Sequence, residues 1–178
     1  HIKLNPKNLA EVDTLVVNGA ECEPFITCDM RLMLERTDSI VEGIRVVMKY
    51  LNLKTCVIGV EDNKPEAIAA LNQAVSGMKN VSVLAMKALY PKGAEKVIIY
   101  EATGRVVEEG KLPADAGVIA MNVATISKLA DFLKTGMPLV EKMLTVDGGS
   151  VAEPKNIIAP IGTPIKDMVE FCGGYKSE

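Results

Sequence analysis

The alternation of apolar strands and amphipathic helices in the first half of the chain constrains its fold more than any other feature. Residues 13–18, 54–60 and 81–86 are rich in β-branched and apolar side chains, whereas 37–51 and 64–75 have the apolar spacing of helices. This order is typical of a parallel sheet with right-handed crossovers. We therefore predict an α/β fold, a three-layer Rossmann-like parallel sheet with helices on both faces.

The pattern continues less regularly beyond residue 86. We predict a helix over 95–103 that ends at Gly104, a buried strand over 117–121 and a helix over 123–133. Thr37 has the residue type of an N-cap for the helix over 37–51.

From residue 143 the pattern changes to short β segments, 145–149 and 156–161, followed by a helix over 162–173 with Thr163 as its N-cap. A shift of this kind marks a domain boundary. We therefore predict one domain over residues 1–142 and a second segment over 143–178.

Composition excludes several functional classes. The 178 residues carry a formal charge of −3 with no clustered basic face, which argues against a nucleic acid partner. The apolar stretches are far shorter than the roughly 20 residues of a membrane-spanning helix, and no secretory signal is visible. We expect a chain without a transmembrane segment that acts in the cytoplasm.

The four cysteines do not have the spacing of a metal or iron–sulfur site. Cys22, Cys28, Cys56 and Cys172 form no Cys-x-x-Cys pair, and the single histidine is His1. Cys56 lies inside an apolar run and is expected to be a core residue. We assign no chemistry to the cysteines and predict no metal site in this chain.

The turn after the first predicted strand is the candidate functional site. Asn18, Glu21 and Glu23 follow the apolar run of that strand, and Pro24 prevents a helix from forming at once. Parallel α/β sheets place their ligands at such strand ends. The alternative is an ordinary connecting loop whose acidic side chains are solvated.

Five separated motifs give the chain a specific family resemblance. They comprise residues 18–24 continued by 27–29 and 31–33, then 90–96, 112–115, 121–123 and 161–164. In this order they resemble the C subunit of the Rnf-type electron transport complex and, more distantly, the flavin-binding subunit of respiratory complex I. The resemblance covers the chain from His1 to about Gly174.

The resemblance implies a part of an FMN-binding subunit that oxidises NADH. Electrons would pass from NADH, or to NAD, towards ferredoxin-type and iron–sulfur carriers in an ion-translocating ferredoxin:NAD oxidoreductase complex. The subunit would lie peripherally on the cytoplasmic face of the membrane with the other subunits as partners. Residues 143–178 would begin a small β-grasp-like domain called SLBB.

The resemblance also implies roles for individual residues in the turn after the first strand. Asn18 would hydrogen-bond the flavin or its ribityl chain, because an amide offers donors and an acceptor without charge. Glu21 and Glu23 would line the flavin and nicotinamide pocket, where they would accept bonds from ribose hydroxyls or exclude anions. The alternatives are an asparagine that caps a turn and two solvated carboxylates.

Four further residues match the family at other places. Tyr90 and Glu95 match a turn close to the flavin, although Tyr90 could equally be a half-buried core residue. Asn122 would lie beside the flavin phosphate, and its position before a helix would also explain it as an N-cap. Lys3 matches a basic residue near the phosphate.

The sequence departs from the family in two respects. It contains neither Gly-x-Gly-x-x-Gly nor any multi-glycine loop that could bind a phosphate, and it lacks ferredoxin-like cysteine motifs. We therefore expect a piece of a longer protein, with its 4Fe-4S clusters elsewhere, that on its own binds FMN poorly and does not oxidise NADH. The alternatives are a docking scaffold without flavin and a soluble relative that delivers NADH electrons to an amino-acid reductase.

Overall fold

The computed structural model describes residues 2–176, so the first residue of the predicted FMN domain and the last two of the predicted SLBB segment lie outside it. The strands and α-helices follow in chain order: β1 (Thr14–Asn18), α1 (Cys28–Glu35), α2 (Thr37–Tyr50), β2 (Thr55–Glu61), α3 (Pro65–Val75), β3 (Val81–Met86), α4 (Glu95–Thr103), β4 (Val118–Asn122), α5 (Val123–Thr135), β5 (Glu141–Val146), β6 (Lys155–Pro160) and α6 (Ile165–Phe171).

Four parallel strands form the main sheet in the order β3-β2-β1-β4. The chain first builds outward from β1 through β2 to β3, and then returns to place β4 on the other side of β1. The direction of winding therefore reverses between β1 and β4. Open parallel sheets bind ligands outside the carboxyl ends of the strands at such a reversal.

Successive side chains of β1 pack on opposite faces of the sheet. Leu15 and Val17 contact the core beneath α1, α2, α3 and α5, whereas Val16 belongs to a second core that includes Ile98 and Ile99 of α4. All five side chains are 0% exposed. The prediction of a three-layer parallel sheet with helices on both faces is confirmed, with most of the helices on one face.

The connection between β1 and β2 contains two helices where the sequence predicted one. The helix α1 was missed because the polar turn and Pro24 precede it and because apolar and charged residues alternate over its first five positions, 28–32, which is not a helical pattern. The prediction that Thr37 is an N-cap is wrong by one residue, since Arg36 occupies that position. The hydroxyl of Thr37 instead donates to the carbonyl of Met33 at 2.5 Å, which ties α2 to the end of α1.

An antiparallel pair, β5 and β6, is followed by α6, and β5 begins at Glu141, two residues before the predicted start of the second segment. The predicted cap at Thr163 is displaced by one residue to Pro164, and the Thr163 hydroxyl donates to Pro160 O at 2.7 Å. A separate hydrophobic cluster, which includes Ile157 and Cys172, packs α6 on the hairpin.

Polar side chains connect this hairpin to the loop that precedes α1. The backbone N–H of Thr27 donates to the hydroxyl of Thr145 at 3.1 Å, and Asn156 donates to the hydroxyl of Thr27 at 3.0 Å. Thr145 also donates to Asn156 at 2.7 Å. The hairpin therefore contacts the main domain next to the acidic turn of the candidate site.

Within residues 2–176, none of the helices combines the length and the apolar character needed to span a membrane.

Candidate functional site

Two asparagines end the two strands between which the winding reverses. Asn18 is the last residue of β1 and Asn122 the last of β4, and the parallel register pairs them directly. Because the strands are parallel, both side chains lie at the same edge of the sheet. The structure therefore brings two of the residues predicted from the sequence together at the position where this class of fold binds ligands.

The amide of Asn18 is bonded to the backbone on both sides. Its Nδ2 donates to Gly93 O at 2.8 Å, and its Oδ1 accepts from Ala20 N at 3.0 Å. Gly93 also packs closely on this turn, because a Cβ there would lie 2.6 Å from Cys22 Sγ. Asn18 thus joins the turn after β1 to the segment that leads into α4.

Asn122 caps α5, as its position in the sequence predicted. Its Oδ1 accepts from Ala124 N at 2.8 Å, and its Nδ2 donates to Asp29 Oδ2 at 2.7 Å. Burial raises the pKa of Asp29, the hydrogen bond from Asn122 opposes this, and the nearby carboxylate of Glu21 raises it further. The first turn of α1 and the N-terminus of α5 are therefore joined by one charge-assisted hydrogen bond.

The side chain of Glu21 is buried, so it is not the solvated carboxylate of the alternative interpretation. Its side chain is 3% exposed, and its two oxygens accept from Asp29 N at 2.7 Å and from Met30 N at 3.2 Å. It therefore caps the N-terminus of α1 from a loop seven residues upstream of that helix. A carboxylate at this end of a helix is stabilised by the free N–H groups and by the helix dipole.

A buried lysine connects Glu21 to the end of the neighbouring strand. Lys64 Nζ lies 3.1 Å from Glu21 Oε2 and 2.6 Å from Glu61 Oε2, and Glu61 also accepts from Glu21 N at 3.2 Å. Burial lowers the pKa of Lys64, but the hydrogen bond to Glu61 and the charge of Glu21 together raise it above its ordinary value. The lysine is therefore a cation between two carboxylates.

Sequence reasoning missed both Lys64 and Glu61. Glu61 is the polar last residue of an apolar strand, as Asn18 is, and this pattern could have identified Glu61 as a site residue. The predicted strand stopped one residue too early to include it.

Glu23 and Tyr90 are exposed within the loops that precede α1 and α4. Glu23 precedes Pro24 and Phe25, and Phe25 is 80% exposed with a φ of +68°. Tyr90 is 79% exposed, which excludes the half-buried core residue of the alternative interpretation. Both side chains are therefore available to a ligand or a partner.

Lys3 and Glu95 form an ion pair at the edge strand β4. Lys3 Nζ contacts the carboxylate of Glu95, the first residue of α4, and donates to Ala120 O at 2.8 Å. Ala120 precedes Asn122 by two residues in β4. The pair therefore places one cation and one anion beside the asparagine end of this strand.

An open groove of about 570 Å³ begins at the N-terminus of α5. At this end it is lined by Lys3, Asn122 and Thr125, and farther along by apolar residues of α5 and of the hairpin, including Leu129 and Met143. Its volume lies in the range of roughly 300 to 1,000 Å³ that is typical of small-molecule sites. Thr125 was not predicted, although a hydroxyl three residues after an N-cap faces the same end of the helix.

The two cysteines near the acidic turn have structural contacts. Cys22 Sγ accepts from Gly93 N at 3.1 Å, and burial together with the charge of Asp29 raises the pKa of Cys28. Cys56 is 1% exposed, as expected for a core residue. Across residues 2–176 there is no group of three or more potential metal ligands.

Comparison with known proteins gives two family matches. The model of the Nuo51 FMN-binding domain matches residues 1–131, and the model of the SLBB domain matches residues 143–178.

Curated relatives match over the whole chain. The chain is 47% identical to the C subunit of the proton-translocating ferredoxin:NAD(+) oxidoreductase complex of Clostridium ljungdahlii, over 100% of this chain and 39% of the relative. It is 42% identical to the Na(+)-translocating counterpart of Acetobacterium woodii, over 100% of this chain and 40% of the relative. The chain thus spans about two fifths of the length of these relatives.

A solved structure has the same fold. An NAD+-reducing NiFe-hydrogenase in the air-oxidised state superimposes with a TM-score of 0.75 over 93% of this chain and 33% of that chain, at 19% identity. At this identity the likeness shows the fold alone.

Proposed function

Because the chain belongs to the family of Nuo51 FMN-binding domains, we propose that it holds FMN at the carboxyl ends of β1 and β4 and serves in electron transfer with NADH. The protein would be the C subunit of an ion-translocating ferredoxin:NAD oxidoreductase complex, as its relatives are named. The observation that carries the proposal is the pairing of Asn18 with Asn122 at the reversal of winding.

The N-terminus of α5 suits the phosphate of FMN. A helix of 13 residues begins there, and its free N–H groups attract an anion. Lys3 adds a cation and Thr125 a hydroxyl on the same groove. The donor chemistry of these residues therefore fits a phosphate, and Asn122 would contact it while it caps the helix.

The other residues of the site would orient the cofactor and the dinucleotide. FMN when bound supplies the chemistry of hydride acceptance and one-electron release. Asn18 would face the flavin from β1, and the exposed Glu23 and Tyr90 would contact the dinucleotide from the connecting loops. Glu21 would line the pocket from the loop after β1, and its oxygens also cap α1. Glu95 would set the position of Lys3 through their ion pair.

We place the electron acceptor and the contacts with partners outside the residues of this chain. The relatives are much longer, so we place the 4Fe-4S clusters and the contacts with other subunits in the remainder of such a protein. We place the subunit peripherally on the cytoplasmic face of the membrane, where it would exchange electrons with ferredoxin-type carriers.

Titration of FMN into the full-length protein tests the proposal. The parent should bind stoichiometrically, and Asn122→Ala should weaken binding. Asn122→Ser is the matched control for helix capping, because serine is also a good N-cap but lacks the amide. If Asn122 serves only as a cap, the serine variant binds FMN like the parent; the absence of FMN binding by the parent would contradict the proposal.

One observation favours a docking scaffold without flavin as a second candidate. Both polar atoms of the Asn18 side chain are already bonded to Gly93 and Ala20, which is what a purely structural asparagine would do. Such a scaffold would keep the fold and bind electron-carrying proteins. The same titration separates the two candidates, since a scaffold binds no FMN.

A further inference from the structure

Among the ion pairs of residues 2–176, only the two formed by Lys64 have both side chains buried. Lys64 lies within 4 Å of two carboxylates, those of Glu21 and Glu61. The side chains of Lys64, Glu61 and Glu21 are 8%, 8% and 3% exposed. Glu61 ends β2, Lys64 follows it by three residues as the N-cap residue of α3, and Glu21 lies in the loop after β1. Lys64 therefore joins the ends of two strands.

Removal of the lysine charge would leave two carboxylates buried close together. A buried charge without a partner is strongly unfavourable, and two like charges repel. Glu61 is fixed in β2, whereas Glu21 lies in a loop, so the loop is the part that can move. Loss of the lysine would therefore displace Glu21 towards solvent.

Displacement of Glu21 would change the surroundings of both Asn18 and Asn122. Glu21 accepts from the backbone of Asp29 and Met30, so α1 would lose its cap. The side chain of Asp29 accepts from Asn122 at 2.7 Å, and Asn18 lies three residues before Glu21. Lys64 thus acts on the two asparagines through intermediate contacts and touches neither of them.

We infer that Lys64 is a positioning residue for the site at the ends of β1 and β4, with Glu61 as the residue that orients it. The inference rests on the proposed FMN site for its effect on cofactor binding. Its structural part, the fixing of the loop after β1 and the first turn of α1, does not depend on FMN.

The test compares variants of the full-length protein in two measurements. Lys64→Met removes the charge, and the double variant Lys64→Met with Glu61→Gln restores charge balance while glutamine can still accept from Glu21 N. Lys166→Met is the matched control, because Lys166 is 81% exposed and its ion pair with Glu170 lies in α6. Amide hydrogen exchange of residues 19–31 is measured without FMN, and the FMN dissociation constant is measured separately.

Lys64→Met should raise exchange over residues 19–31 by about tenfold or more, because the cap of α1 is lost. It should weaken FMN binding by on the order of 10- to 100-fold, as small displacements of positioning groups do. The double variant should recover part of both losses, and the control should match the parent.

Three outcomes would overturn the inference. They are exchange in Lys64→Met equal to that of the parent, a double variant no better than the single one, and equal changes in Lys166→Met. If Lys64→Met does not fold, the double variant and Glu61→Gln are compared with the parent. Amide exchange equal to that of the parent in both variants overturns the role of Lys64, Glu61 and Glu21. If the parent binds no FMN, the proposed function fails, and the exchange measurement still decides the role of Lys64.

Discussion

Asn18 and Asn122 are paired in register at the carboxyl ends of two adjacent parallel strands, and each bonds a different neighbouring segment. Asn18 reaches Gly93 before α4, whereas Asn122 reaches Asp29 in the first turn of α1. The two amides therefore connect the loops on both sides of the point where the winding reverses. A ligand at this edge would lie among segments that these side chains hold in place.

The change of Asn18 to alanine should weaken FMN retention by the full-length protein. It removes an amide that the turn and the proposed cofactor share, and an unpaired buried polar group costs about 1–3 kcal/mol. Equilibrium dialysis against FMN measures the effect. The midpoint of thermal unfolding should also fall, because the bonds to Gly93 and Ala20 are lost, and equal flavin content in variant and parent would show that Asn18 is only a turn residue.

The change of Gly43 to alanine should destabilise the fold. A Cβ on Gly43 in α2 would clash with the backbone carbonyl of Ile126 in α5, and a backbone atom cannot rotate away. We expect a loss of about 1–3 kcal/mol in the free energy of unfolding, as for other overpacked sites. Urea denaturation measures it. Gly77→Ala is the control, because a Cβ on Gly77 meets nothing within 4 Å.

Neutralisation of Asp13 should cost stability at neutral pH and nothing in strong acid. The hydrogen bonds from Arg105 and Thr14 lower the pKa of Asp13 from 3.8 to about 2. A carboxyl whose pKa is lower in the folded state contributes stability above its unfolded pKa, and this is lost as pH falls towards the folded pKa.

The comparison of Asp13→Asn with the parent in urea measures this contribution. Asp13 and Arg105 are 34% and 37% exposed, so solvent screening limits the difference to roughly 1 kcal/mol at pH 7. The difference should shrink as the pH falls from about 4 to about 2. A difference that is constant over this range would assign the effect to something other than the charge of Asp13.

Two cysteines should resist thiol reagents in the native protein. Burial raises the pKa of Cys56 to about 12, and Cys172 is 0% exposed. Because the thiolate is the reactive form, both should be alkylated only after unfolding. Peptide mapping after brief iodoacetamide treatment at neutral pH measures this, and native labelling of Cys56 within minutes would contradict the buried position.

Much of the main domain follows from local sequence signals. The strand β3 (Val81–Met86) and the helix α4 (Glu95–Thr103) have the bounds that the sequence predicted. The left-handed Gly104 ends α4, and the N-cap role of Asn122 was also expected. In each case the signal lies within a few residues of the element that it determines.

The support of the candidate site depends on contacts between distant residues, so the sequence did not predict it. The family resemblance predicts Glu21 only as a pocket-lining residue, and it does not predict that Glu21 caps α1 and meets Lys64, 43 positions later in the chain. Lys3 meets Glu95 across 92 positions and Asn18 meets Gly93 across 75 positions, which are still larger separations. No periodicity or local motif encodes such pairs, since they arise only when the sheet aligns the strand ends.

The contacts of Thr27 with Thr145 and Asn156 bear on how the two parts of the chain unfold. A two-stranded hairpin is marginally stable in water by itself, so β5 and β6 depend on their neighbours for order. Their polar contact with the main domain falls on the loop that leads into α1. Denaturation that begins in the hairpin would therefore release the start of α1 next, and the loops at the carboxyl ends of the strands would lose their order before the sheet does.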